Sequence, residues 1–308
     1  MKKFLYLALA MLLVFGLASC KDPEVEDPAI KVYTRDTTSG TRDGFFSTIN
    51  FKDAVSDNTK LVEGYVEVEG NGQMITSIKN DKYGIGYISL SSLDGSGLKG
   101  LVYNDVSPTE ANVINETYKL TRNFNYAIRD EFANETEQQL VEAFVAYMGT
   151  KEGKAAIKGA DGIVEIKATD PSWDDIKADH PVTEQDNSGI TIKFGGSTSV
   201  EKVAKALSSE FSTKCGNFIV EHEHTGSGDA YKRVQGAEAN GSNSLHIGFA
   251  SREFKLDSDE MLEENTYGLV CVDAIVVVVN KDNELMSITG EMLKDIYNGT
   301  ILKWQDLK

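Results

Sequence analysis

Ile190-Thr191-Ile192-Lys193-Phe194-Gly195-Gly196-Ser197-Thr198-Ser199-Val200 reads as a strand that runs into a Gly/Ser/Thr loop and opens a helix. Ile190, Ile192 and Phe194 alternate with Thr191 and Lys193, which is the period of a strand. From Val200 the period changes: Val200, Val203, Ala204, Leu207 and Phe211 fall on one face of a helix ending at Ser212. Gly195 to Ser199 is then the turn between them. The same design recurs at Thr225-Gly226-Ser227-Gly228 and at Ser39-Gly40-Thr41-Arg42. The free amides of a helix N-terminus point outward with the positive end of the dipole, so each such turn suits an anion. Glycine lets the backbone approach closely, and the hydroxyls add neutral donors. One turn of this kind is an ordinary helix cap. Three of them, with Arg35 four residues before Ser39, supply converging amides plus a planar fork of charged donors suited to a tetrahedral oxyanion.

The rest of the chain fits an α/β frame. Ile30 to Tyr33 and Tyr83 to Leu90 read as strands. Leu140, Phe144, Tyr147 and Met148 recur at helical spacing, which predicts a helix over Thr136 to Met148 with Thr136 as its N-cap. Ala274 to Val279 is so uniformly apolar and β-branched that it should be a central strand covered on both faces. Thr289 caps a last helix, Gly290 to Asn298, which Gly299 ends. Lys167 to Gly189 is mostly polar, carries Pro171 and Pro181, and has the chemistry of a linker.

The first residues give the expected address. Lys2 and Lys3 precede an apolar run from Phe4 to Ala18, the length of a signal h-region and short for a membrane span. Leu17-Ala18-Ser19-Cys20 resembles a bacterial lipobox, so residues 1–19 are expected to be a lipoprotein signal peptide, Cys20 the lipidated residue, and 20–28 a tether. The formal net charge of −17 argues against nucleic acid and against polybasic membrane binding. It leaves a small anion open, because backbone amides and one arginine bind an anion inside an acidic protein. Cys215 and Cys271 are expected as free thiols.

Several motifs together resemble the phosphate-binding proteins of ABC phosphate importers. Gly196 to Val200, Thr225 to Gly228, Ile247-Gly248-Phe249-Ala250-Ser251-Arg252, Asp273 to Asn280 and Asn298-Gly299-Thr300-Ile301-Leu302-Lys303-Trp304 are similar to that family's first half. Tyr33-Thr34-Arg35, Ser39 to Arg42, Ile85-Gly86-Tyr87, Tyr118 to Arg122 and Glu152-Gly153-Lys154 are similar to its second half. The order is reversed, so the chain looks like a circular permutant whose old termini are joined through residues 167–189. The resemblance implies two Rossmann-like lobes of the type II periplasmic-binding-protein fold around a hinge. Lobe B would comprise residues 29–112 plus 281–308, and lobe A residues 113–280. It further implies inorganic phosphate, or a similar tetrahedral oxyanion, held in the cleft by Thr198, Ser199 and Ser227 from lobe A and by Arg35, Ser39, Gly40 and Thr41 from lobe B. The function implied is a monomeric, lipid-anchored, extracytoplasmic binding protein that serves an ABC permease and ATPase, with no catalysis, cofactor or metal. An oxyanion sensor using the same cleft is the alternative. The family places an aspartate where His246 stands before Ile247, and a neutral imidazole there could accept a bond from protonated phosphate, whereas an imidazolium could only donate; the equal alternative is that His246 is simply a strand-end residue and that another acid, Asp36 or Asp229, takes the role.

Other chemistries are set aside. His222-Glu223-His224 puts two imidazoles on one face of a strand, but without further ligands it reads as a solvated face. Ser39, Ser197 and Ser227 lie in no Gly-x-Ser-x-Gly elbow, and the four histidines offer no triad spacing. Gly195 to Ser199 lacks the Lys-Ser/Thr ending of a nucleotide loop.

Overall fold

The computed structural model describes residues 28–307, so the expected signal peptide, Cys20 and all of the tether but Pro28 lie outside the described residues. In chain order the elements are β1 (Lys31–Arg35), α1 (Gly40–Thr48), β2 (Val66–Val68), α2 (Gly70–Lys79), β3 (Gly84–Ser89), β4 (Leu98–Gly100), β5 (Val102–Tyr103) and α3 (Glu110–Ile114). There follow β6 (Thr121–Ile128), α4 (Glu135–Met148), α5 (Lys151–Gly159), α6 (Trp173–Ile176), β7 (Thr191–Gly196), α7 (Glu201–Ser212), β8 (Ile219–His224) and α8 (Gly228–Val234). The last are β9 (Ile247–Ala250), β10 (Tyr267–Asn280), β11 (Ser287–Ile288) and α9 (Gly290–Tyr297).

Two α/β units share one continuous sheet with the order β2-β1-β3-β10-β6-β9-β7-β8, and β4 pairs β10 on the edge opposite β3. In one unit β1 lies parallel between β2 and β3; in the other β7 lies parallel between β8 and β9. The long antiparallel strand β10 serves both. Its Tyr267–Ala274 stretch pairs with β6, and Ile275–Asn280 pairs with β3 and β4. Each unit has its own core. Phe124, Phe144, Tyr147, Phe194, Leu207 and Phe211 centre one, and Phe45, Phe46, Tyr87, Ile275, Val277 and Tyr297 centre the other. The doubly covered strand is where the β-branched run placed it. Ala274 to Val279 are all 0 % exposed, and fully burying each valine there stabilises by ~1.5–3 kcal/mol.

Several boundaries differ from those expected. Val113, Tyr118 and Leu120 pack in the core of the 29–112 unit, and so do Ala274, Ile275, Val277 and Val279. The chain therefore crosses between lobes at about Leu120–Thr121 and Asp273–Ala274, not at 112/113 and 280/281. A 14-residue strand that serves two cores in turn has no change of period to mark the crossing. Asn134, not Thr136, caps α4, its side chain accepting from the Glu137 amide at 3.0 Å. Gly195 and Gly196 end β7 and do not belong to the loop. Residues 167–189 are more than a linker: Trp173 and Val182 are buried in the larger core, and Ser172 and Asp175 close a capping box on α6. Thr289 caps α9 as expected, and Gly299 beyond it takes φ +83°. Cys215 and Cys271 are free and buried, and burial pushes both thiols up from their ordinary range.

Candidate functional site

The three Gly/Ser/Thr turns and Arg35 meet at the carboxyl ends of β1, β7, β8 and β9, where α/β sheets place ligands. Arg35 is the last residue of β1, and its backbone N–H donates to the Tyr87 hydroxyl at 3.1 Å. Ser39 then caps α1, accepting from the Arg42 amide at 3.4 Å, which leaves the amides of Gly40 and Thr41 at the open end of the helix. From the other lobe, β7 hands the chain to Ser197, Thr198 and Ser199, and Ser227 precedes α8.

The lobes touch through these residues. The Thr41 and Ser199 hydroxyl oxygens are 3.1 Å apart. A Cβ on Gly40 would lie 2.6 Å from Ser227 Oγ and 2.7 Å from Ser251 Oγ, so the contact admits only glycine. Gly196 is equally constrained: its φ is +98°, and a Cβ there would meet the Phe249 carbonyl oxygen at 2.3 Å.

Charge in the site is positive although the chain is acidic. Arg35 is 1 % exposed and has a single acid near it, Asp36 at 3.7 Å. Its Nε and Nη1 have no hydrogen-bond partner among the described residues. Burial lowers its pKa, because desolvation penalises the charged form. Arg42 behind it is also fully buried but well satisfied, donating to the Arg35 carbonyl at 2.7 Å, to the Ala54 carbonyl at 2.6 Å and to Asn58 Oδ1 at 2.6 Å. A desolvated guanidinium with two unpartnered nitrogens and its nearest acid 3.7 Å away, beside free helix amides, is a standing demand for an anion.

Thr198, Ser199, Ser227, Arg35, Ser39, Gly40 and Thr41 are thus brought to one place. His246 is not. It stands before β9, where its Nδ1 accepts from the Lys193 amide at 2.9 Å and its Nε2 lies 3.4 Å from Glu137. Burial lowers its pKa, with Glu137 opposing the shift. The cleft is at the other end of the strand, roughly 15 Å away at ~3.3 Å per residue. The reading of His246 as a ligand contact is corrected: parallel sheets bind at strand carboxyl ends, and His246 precedes its strand.

Three further residues join the turns, Ser251 and Arg122 from stretches that resemble the family and Asn71 from none of them. Ser251, just past β9, joins the turns: Ser197 Oγ is 2.9 Å from its hydroxyl, Ser227 Oγ 3.1 Å, and its amide donates to Ser227 Oγ at 3.0 Å. Arg122 donates to the same Ser251 hydroxyl at 3.2 Å and forms a 2.8 Å ion pair with buried Asp273, which also accepts from Ser89 at 2.8 Å. Arg122 and Asp273 face one another on the strands that cross between lobes. The third is Asn71, whose Nδ2 donates to Ser199 Oγ and to Ser92 Oγ, each at 3.2 Å.

His222 and His224 are not a solvated face either. His222 stacks on Phe194 and bonds Ser208 at 2.9 Å; the two rings bond each other at 3.0 Å; and His224 Nδ1 lies 3.0 Å from the Ser197 carbonyl. The pair braces the Ser197 turn from behind. No helix among the described residues is long and apolar enough to cross a membrane.

Fold and site together define a two-lobed α/β protein with an anion-suited cleft between its lobes, and residues 181–308 match the family model for the PBP superfamily domain. Over its whole length the chain is similar to proteins named phosphate-binding protein PstS 2. It is 25% identical to that of Streptococcus pneumoniae serotype 4, covering 100% of this chain and 99% of the relative. It is 27% identical to that of Streptococcus agalactiae serotype V, covering 98% and 96%. Among solved structures, a phosphate-binding protein of a phosphate ABC transporter from Streptococcus pneumoniae TIGR4 matches with a TM-score of 0.64 at 23% identity, covering 91% of this chain and 100% of that one. That likeness establishes the fold.

Proposed function

We propose that this chain is an extracytoplasmic solute-binding protein that captures inorganic phosphate between its lobes and delivers it to an ABC permease and ATPase. The observation that carries the reading is Arg35, a buried guanidinium whose Nε and Nη1 have no partner among the described residues, at the point where three helix-opening turns converge. The names of the full-length relatives support phosphate as the anion, and the similar solved protein, a phosphate-binding protein of a phosphate ABC transporter, supports an ABC transporter as the destination. Thr198, Ser199 and Ser227 bind from one lobe, and Arg35, Ser39, Gly40 and Thr41 from the other. Only the closed form offers both sets at once, so the ligand favours closure through its differential affinity. The protein acts by binding, without catalysis or cofactor, as a monomer held to the membrane by a lipid on Cys20.

The reversed segment order is part of the same reading. What supports circular permutation is that residues near the two described ends pair: the Ile30 amide donates to the Leu302 carbonyl at 2.8 Å, and Ala29 bridges Lys303.

Calorimetric titration of the chain from Lys21 onward with phosphate tests the proposal. Saturable 1:1 binding that Arg35→Ala abolishes is expected. No heat from the unaltered protein would overturn it.

A further inference from the structure

Two buried arginines serve the region of the cleft, and the fold uses them differently. Arg35 leaves Nε and Nη1 unpartnered among the described residues. Arg122 commits all three of its nitrogens to the protein. Nε and Nη2 donate to Asp273 Oδ2 at 3.0 and 2.8 Å, and Nη1 donates to Ser251 Oγ at 3.2 Å. Asp273 is buried as well, and its other oxygen accepts from the Ser89 hydroxyl at 2.8 Å. A buried ion pair adds little net stability over an apolar pair of the same volume. What sets this one apart is the third bond, to Ser251.

Ser251 stands where three hydroxyls meet. A hydroxyl has one hydrogen to give and two lone pairs to fill. The Ser251 oxygen accepts from Arg122 at 3.2 Å and from the Ser197 hydroxyl at 2.9 Å, which fills both lone pairs. Its own hydrogen is left for the Ser227 oxygen, 3.1 Å away. Ser227 Oγ also accepts from the Ser251 amide at 3.0 Å, so its lone pairs are filled in turn. The Ser227 hydrogen therefore has no place in the network and points out of it. It does so at the contact between lobes, where a Cβ on Gly40 would come within 2.6 Å of the Ser227 oxygen. Without the guanidinium, the Ser251 oxygen would keep an empty lone pair, and Ser227 could turn its hydrogen inward to fill it. The direction of the relay is set by the one side chain in it that can only donate.

We infer that Arg122 is a positioning residue for anion capture: held by Asp273, it fixes the direction of the hydroxyl relay through Ser251, so that Ser227 offers its O–H to the bound anion. The inference rests on the phosphate reading above and deepens it. Arg35 meets the ligand directly, whereas Arg122 acts on it only through protein hydroxyls. Asp273 cancels the charge of Arg122, so the contribution of the pair is geometric and not a second long-range attraction. A donor already aimed at its acceptor loses no orientational freedom when the ligand arrives.

Calorimetry with inorganic phosphate tests this in a cycle of two changes. One is Ser227→Ala. The other is Arg122→Met combined with Asp273→Asn, which leaves the net charge of the protein unaltered. Ser227→Ala should weaken phosphate by roughly tenfold to a hundredfold, the loss of one hydrogen bond to a charged group. The paired change should weaken it by roughly tenfold when Ser227 is present and by less than about twofold when Ser227 is already alanine, because the two act as one unit. A merely structural contribution would cost the same in both backgrounds. Arg122→Lys is the second probe. It keeps the charge and a partner for Asp273 but lacks the fork that spans Asp273 and Ser251 together. It should lose as much affinity as the paired change, and again only where Ser227 is present. Equal losses in both backgrounds, or full affinity in Arg122→Lys, would overturn the inference and leave the oxyanion site standing. An unaltered chain that binds no phosphate overturns the parent reading and this one with it.

Discussion

The Thr41 hydroxyl oxygen lies 3.1 Å from that of Ser199, 158 residues further along the chain, and ties the turn that opens α1 in one lobe to the turn before α7 in the other. Both residues sit at helix N-termini whose amides face the same space. The two lobes therefore present complementary halves of one donor set.

Arg35 should be a ligand-binding residue that the unliganded fold does not need. Its guanidinium is desolvated with only Asp36 close by, so its charge costs stability in the unliganded protein. Arg35→Met should leave the Tm of the unliganded chain unchanged or raised. The rise in Tm that phosphate gives the unaltered protein should vanish. A fall of Tm by more than about 3 °C without ligand, which is ~1 kcal/mol for a protein of about 150–250 residues, would mean that Arg35 is structural.

Gly40 is where the lobes come closest, and a methyl group there would press on Ser227, Ser251 and the Ser251 backbone within 3 Å. Gly40→Ala should hold the lobes apart while each core stays intact. Affinity for phosphate should fall by on the order of a hundredfold, since an overpacked contact costs ~1–3 kcal/mol. Small-angle scattering should show that phosphate no longer shrinks the radius of gyration. Unchanged affinity would mean that the closed contact is not the binding state.

His222 and His224 predict an acid limit on stability. Burial lowers both from 6.5 to about 4. Lys205 on α7 and Arg233 on α8 push the same way as burial, and Glu201 on α7 opposes. Their folded pKa values are depressed, so the unfolded chain takes up protons first. The stability they contribute is full above about pH 6.5 and is lost as the pH falls toward 4. Thermal melts over that window should show a steeper fall for the unaltered chain than for His224→Gln. Parallel curves would show that the pair is not titrating there.

Permutation predicts that the order can be exchanged. A chain running 167–308 and then 28–166 should fold and bind phosphate within about tenfold of the original, because the new junction joins ends that already pair and the new break is at an exposed segment. A reordered chain that is soluble and folded but does not bind would count against the proposed ancestry of the order.

What could be read from the sequence was local. Ser39 to Thr41, Gly195 to Ser199 and Thr225 to Gly228 are contiguous patterns, and the run Ala274 to Val279 announces its burial by composition alone. Ser251 and Asn71 are single polar residues next to apolar stretches, and only tertiary contact gives them a role. His246 failed for a reason that the sequence could have supplied, since a residue that precedes a parallel strand is at the wrong end for a cleft at the carboxyl ends. Trp173 could also have been weighed differently, because one large aromatic in a polar tract such as 167–189 is a candidate for core packing. The lobe boundaries were out of reach: Asp273 is the one charged residue of β10, and a single carboxylate in an otherwise apolar run does not by itself mark a crossing between lobes.

A crystal structure grown in phosphate tests the central claim most directly. Tetrahedral density within hydrogen-bond distance of Arg35 Nε and Nη1 and of Thr198 Oγ1, with the lobes closed across Thr41 and Ser199, is the predicted result. Density elsewhere, or none while Arg35 stays buried and unpartnered at saturating phosphate, would contradict it.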